Sequence, residues 1–226
     1  MIPVTLPNAP GNYVHQVRQP GQNFLAAHPH PTADDWRRRN YWRHIHTHLY
    51  TQVRGICMYS SSFTPRRPGP LDHTSIDHFV PKSQGNHSQA YEWSNFRLCR
   101  SRLNHRKADF SDVLDPCTLQ QGWFRISFNT FLISPDAALP LVAQTQVVDT
   151  VRRLGLNDDD AYVNERARVV YGYADGTVPF NDVSERYPFI ASEMTAQNFD
   201  ANHLPRFREA LANPRVRAPL MRQGLL

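Results

Sequence analysis

The strongest constraint on the fold is the run Ser75-Ile76-Asp77-His78-Phe79-Val80-Pro81-Lys82 and the stretch that follows it from Asn95 to Lys107. Ile76, His78 and Val80 alternate with Asp77 and Phe79, and the run stops at a proline. Period two closed by a residue without an amide donor predicts a short strand. Phe96-Arg97-Leu98-Cys99 predicts a second strand. It passes into a basic stretch whose Arg100, Asn104 and Lys107 share one helical face at three- and four-residue steps. Strand, polar loop, strand and helix could bring Asp77, His78 and Asn104 together. Neighbouring strand residues point to opposite faces, so Asp77 and His78 are expected at the strand's end or on a distorted turn.

Those side chains suit one chemistry. Asp77 offers a carboxylate oxygen and Asn104 an amide oxygen, the hard ligands that Mg2+ (or Mn2+) accepts while keeping several waters. His78 carries an imidazole of unperturbed pKa near ~6.5, suited to a general base. Arg97, Arg100, Arg102, Arg106 and Lys107 surround them with positive charge that suits a phosphodiester. Metal-assisted hydrolysis of a nucleic-acid backbone needs each of these parts. The competing reading is a surface Asp-His pair beside a structural asparagine.

At these residues the chain resembles the HNH endonuclease family, whose ββα-metal motif runs Asp-His-x-x-Pro, then Asn, then Asn-x-x-Lys. The matching positions are Asp77-His78-Phe79-Val80-Pro81, Asn95 and Asn104-His105-Arg106-Lys107. The flanks Ser75 to Ser83, Ala90-Tyr91-Glu92-Trp93-Ser94-Asn95 and Asp112-Val113-Leu114-Asp115-Pro116 are similar to HNH nuclease subunits of bacterial anti-phage defence systems of the Septu type. The resemblance spans about residues 57 to 130. It implies a single-metal phosphodiester hydrolase with His78 as base, Asp77 and Asn104 as metal ligands, and Asn95 orienting His78. Lys107, Arg100, Arg106 and Arg97 are then the phosphate-binding residues. It also implies nucleic acid as substrate, DNA first and RNA as the alternative, with an ATPase partner in antiviral defence. Many HNH proteins carry a zinc knuckle of two Cys-x-x-Cys pairs. Here Cys57-x-x-Ser60 and Cys99-x-x-Arg102 each lack the second thiolate, so structural zinc is not expected.

Lys and Arg exceed Asp and Glu by 25 to 20, for a net charge of +5. The excess is local: residues 91 to 107 hold five basic side chains against Glu92 alone. That fits a polyanion partner. Three cysteines, an odd number, imply no disulfide framework. Residues 1–7 lack a charged region followed by an apolar run, and no later stretch approaches a membrane span, so a cytoplasmic protein is expected.

The expected fold class is α+β, in three parts. Residues 1–31, rich in proline, read as an extended arm. Residues 32–135 form the nuclease module, led by one long helix from a Thr32 cap through Trp36, Trp42, Ile45, Leu49 and Val53 to Gly55. His44 and His48, one turn apart on it, are read as solvated or phosphate-facing residues. Gly122 to Phe128 and Phe131 to Ile133 predict a strand pair. Residues 136–226 read as helical, with helices over 141–154, 163–174 and 204–211, as a buttress or a docking surface for a partner. The alternative function is a catalytically silent nucleic-acid-binding subunit that positions a partner enzyme.

Overall fold

In the computed structural model of the chain, residues 1–67, 72–84, 87–158 and 160–226 are described. Pro68 to Leu71 of the proline-rich loop, Gly85 and Asn86 of the polar loop, and Asp159 ahead of the second C-terminal helix lie outside them.

The N-terminal segment corrects the extended-arm expectation. Residues 1–10 have no regular structure, but a π-helical turn (Val14–Arg18) then runs into α1 (Gln19–Ala27). Pro20 sits in the first turn of α1, where a missing amide hydrogen costs least. Tyr13, Val17 and Phe24 are buried from this segment, and their burial outweighs its proline content. Gly21 lies against the Tyr91 ring; a methyl group there would come within 2.1 Å of ring carbon.

Thr32 forms a capping box: its hydroxyl accepts from the Asp35 amide at 3.4 Å, and Asp35 accepts from the Thr32 amide at 2.8 Å. The single long helix expected beyond it is instead broken into α2 (Ala33–Trp36), a 3-10 segment (Tyr41–Ile45) and α3 (His46–Gln52). In a straight helix residues six apart point about 120° away from each other around the axis. The break lets Trp36 and Trp42 both reach Tyr91, with ring centroids 6.1 and 6.0 Å away. Gly55, at φ +70°, closes the segment.

Next come β1 (Thr74–His78), β2 (Phe96–Arg100) and α4 (Ser101–Lys107). The strands pair antiparallel, with Asp77 opposite Arg97 and His78 opposite Phe96. A second antiparallel pair, β3 (Phe124–Ile126) and β4 (Ile133–Pro135), forms where the alternation predicts. The predicted C-terminal helices appear as α5 (Leu141–Leu154), α6 (Asp160–Asp175) and α10 (Leu204–Ala212). Between and after them lie α7 (Phe180–Arg186), α8 (Pro188–Ala196), α9 (Phe199–Asn202) and α11 (Pro214–Arg222). The fold is α+β, largely helical with two small antiparallel sheets. Among the described residues no helix is long and apolar enough to cross a membrane.

The sheet β1–β2 separates two apolar clusters. Ile76, Phe96 and Leu98 join Ile45, Leu49 and Tyr91 on one side; Cys99 joins Tyr59, Leu103 and the C-terminal helices on the other. Both faces of the sheet are therefore buried.

Candidate active site

Phe79 N–H donates to Asn95 O at 2.9 Å, extending the β1–β2 ladder one residue past the strands. In an antiparallel ladder the inward-turned residues alternate. Ser75, Asp77 and Phe79 therefore turn their backbone groups to β2, while Ile76 and His78 turn theirs outward. Helix α4 covers this outer edge. Asn104 Nδ2 donates to Ile76 O at 3.2 Å and to Ser75 Oγ at 3.1 Å. Lys107 Nζ donates to His78 O at 3.1 Å and Phe79 O at 3.0 Å. The face shared by Asn104 and Lys107 thus meets strand carbonyls that would otherwise lie unpaired.

Asp77 and His78 are the last two residues of a regular strand, so their side chains diverge. Asp77 is buried toward the C-terminal cluster, accepting from the Tyr59 hydroxyl at 2.6 Å and pairing with the Lys107 ammonium at 3.2 Å. Burial raises its carboxyl pKa, against the opposing pull of Lys107 and the Tyr59 hydrogen bond. Lys107 is wholly buried, enclosed by that carboxylate and the two carbonyls.

His78 faces the other way, among aromatic rings. Trp42 meets it edge-on at 4.6 Å and Phe96 at 5.3 Å, between ring centroids. Burial, with the nearby Lys82 charge, lowers its pKa to about 3. Its Nε2 lies 2.9 Å from Ala90 O. A carbonyl can only accept, so Nε2 carries the hydrogen and Nδ1 keeps its lone pair. Asn95 holds the loop that supplies this carbonyl: Oδ1 accepts from Val80 N at 2.7 Å, and Nδ2 donates to Val80 O and Gln89 O at 3.1 Å each. Asn95 therefore acts on His78 through the backbone of Gln89 and Ala90.

The other basic residues expected at phosphate turn inward. Arg97 is buried, forking onto Asp115 at 2.8 and 2.6 Å and donating to Ser94 O and Phe96 O. Arg100 is buried against Glu165 at 2.7 Å, Thr64 Oγ1 at 3.0 Å and Phe63 O at 3.1 Å. Arg106 lies against Gly155, where a methyl group would come within 1.8 Å of its Nη1. In this conformation Arg97, Arg100 and Lys107 thus hold the fold together, because buried guanidinium and ammonium groups must find counter-charges. Asp112 pairs with Arg153, and Asp115 also accepts from Cys117 N, so both serve as structural partners. His48 lies 3.0 Å from Asn8 O through Nε2, and His46 3.0 Å from Thr74 Oγ1.

No protein-family model, no curated protein and no solved structure matches this chain.

Asp77 and Asn104 have the oxygen chemistry for a divalent cation, and the conformation meets half of the requirement. The Asn104 amide oxygen takes no hydrogen bond among the described residues and lines a cleft of about 490 Å³ with Trp42, Arg43 and His46. The Asp77 carboxylate, by contrast, already faces an ammonium. Among the described residues no group of three or more His, Cys, Asp or Glu is placed to hold a metal ion. Two participants were not visible in the sequence. Tyr59 has no spacing relation to Asp77, and a backbone carbonyl such as that of Ala90 leaves no residue signature.

Proposed function

We propose that this chain is a metal-dependent endonuclease of the HNH type that hydrolyses phosphodiester bonds of nucleic acid, DNA in the first instance. The observation that carries it is the oriented imidazole: His78 fixed by the Ala90 carbonyl, on a loop held by Asn95. An imidazole with Nε2–H committed to a carbonyl presents a single basic nitrogen, as a proton acceptor for an attacking water requires. Asp77 and Asn104 would hold the cation, which would supply charge neutralisation at the scissile phosphate. For that to happen the Lys107 ammonium must release the Asp77 carboxylate, and the end of β1 must turn so that Asp77 comes to the side of the sheet that His78 and Asn104 share. Contact with Trp42 must likewise open before His78 meets a phosphate, and hydration then returns its pKa toward the ordinary range. By the family resemblance, an ATPase partner in anti-phage defence is the proposed setting in which this opening occurs.

The second reading is a catalytically silent nucleic-acid-binding subunit. The Asp77–Lys107 ion pair favours it, since it occupies the carboxylate with an internal cation. Plasmid nicking with and without chelator separates the two. We expect Mg2+-dependent cleavage by the wild type and a loss of at least ~10²-fold in His78→Ala, the lower end for a general base. Full activity in His78→Ala, or cleavage indifferent to chelator, overturns the nuclease assignment.

A further inference from the structure

A second polar cavity lies away from His78, between α6, the end of α7 and the junction of β2 with α4. It holds about 310 Å³, at the lower end of the volume range of small-molecule sites. Its walls carry four guanidinium groups, those of Arg100, Arg102, Arg168 and Arg186. Arg100 is buried and paired with Glu165 at 2.7 Å, so the one cation neutralises the one carboxylate. Arg168 and Arg186 make no ion pair among the described residues. Both are nonetheless held in place: Arg168 Nε donates to Gly224 O at 2.9 Å, and the Arg186 guanidinium lies over the Phe63 ring at 4.7 Å. Asp72 also lines the cavity, with its carboxylate turned to the Tyr162 hydroxyl and the Arg102 amide.

Tyr162 and Tyr187 supply ring surface to the same cavity. Burial raises the Tyr187 phenol pKa and Glu165 adds to this, while Arg186, Arg100 and Arg168 lower it. Two oriented guanidiniums without carboxylate partners, beside aromatic walls, match a dianionic phosphate attached to a flat ring system.

We propose that this cavity binds a phosphate monoester carried on a nucleoside, with the phosphate between Arg168 and Arg186 and the ring against Tyr162 and Tyr187. The ligand is a free nucleoside 5′-monophosphate or the 5′-phosphorylated end of a nucleic-acid strand, which present the same group. The site does not depend on His78, and it stands whether or not the chain cuts nucleic acid.

Calorimetric titration of the full chain in chelator, where no cleavage occurs, tests the site. The probes are adenosine, AMP, inorganic phosphate, and a tetranucleotide with and without a 5′-phosphate. We expect AMP to bind at least about tenfold tighter than adenosine or phosphate alone. Arg168→Gln and Arg186→Gln, both at exposed positions, should each weaken AMP about tenfold. Arg186→Lys, which keeps the charge without the fork, should fall between, and it serves if a glutamine variant does not fold. Tighter binding of the phosphorylated tetranucleotide than of AMP identifies a strand end as the ligand; equal or weaker binding identifies the free nucleotide. Binding of adenosine as tight as AMP, wild-type affinity in the variants, or no binding of either monoester overturns the proposal.

Discussion

Replacing His78 by glutamine isolates how strongly the fold depends on an uncharged imidazole. Glutamine keeps an N–H able to donate to Ala90 O but does not titrate. In the folded protein His78 has a pKa of about 3, against ~6.5 in the unfolded chain. The native state resists the proton that the unfolded state accepts. The stabilising contribution is therefore complete above pH 6.5 and drains away as pH falls from 6.5 to 3. At about 1.4 kcal/mol per pH unit the whole interval corresponds to about 5 kcal/mol, and the part between pH 7 and pH 4 to about 3 kcal/mol. Urea denaturation of wild type and His78→Gln at pH 7, 6, 5 and 4 measures it, because the carboxylates common to both proteins cancel in the difference. The wild type should lose about 3 kcal/mol more than the variant over this range. Parallel stability curves would refute the burial of a neutral imidazole beneath Trp42.

Lys107→Met leaves the buried Asp77 carboxylate without its cation and should cost about 3–5 kcal/mol at neutral pH by urea denaturation. An unchanged midpoint would mean that the ion pair does not persist in solution. Asn95→Ala removes three side-chain hydrogen bonds from the loop that carries Ala90. It should cost about 1–3 kcal/mol and, under the proposed mechanism, lower cleavage more than binding of nucleic acid. Gly21→Ala drives a methyl group into the Tyr91 ring and should cost about 1–3 kcal/mol, whereas Gly11→Ala, with nothing within 4 Å, should be near neutral in the same thermal melts. Equal effects of the two glycine substitutions would show that the N-terminal segment does not pack as described.

Alternation of Ile76 and His78 with Asp77, followed by a basic stretch at helical steps, marked out β1, β2 and α4 because side-chain periodicity is a local property. Arg100, expected on the helical face of Asn104 and Lys107, is instead the extended last residue of β2. The same holds for the Thr32 capping box, the terminating Gly55, the β3–β4 pair and helices α5, α6 and α10. Proline content misdirected the reading of residues 1–31, since the helix there depends on Tyr13, Val17 and Phe24 finding distant partners such as Tyr91. The long helix was misjudged for a related reason: its stripe was genuine, but Trp36 and Trp42 converge on one ring and the backbone breaks to allow it.

The sequence by itself determined which residue types lie near one another: an acid, an imidazole, two amides and a set of cations on neighbouring elements. Only the tertiary structure decided what each one faces. The strand pleat sends Asp77 and His78 to opposite sides of the sheet. Burial of both faces then requires a counter-charge for Asp77 and a neutral ring at His78. Lys107, Arg97 and Arg100, which sequence alone aims at an external phosphate, turn inward because Asp77, Asp115 and Glu165 come within ion-pair distance. Spacing along a chain carries no record of charges that arrive from distant segments.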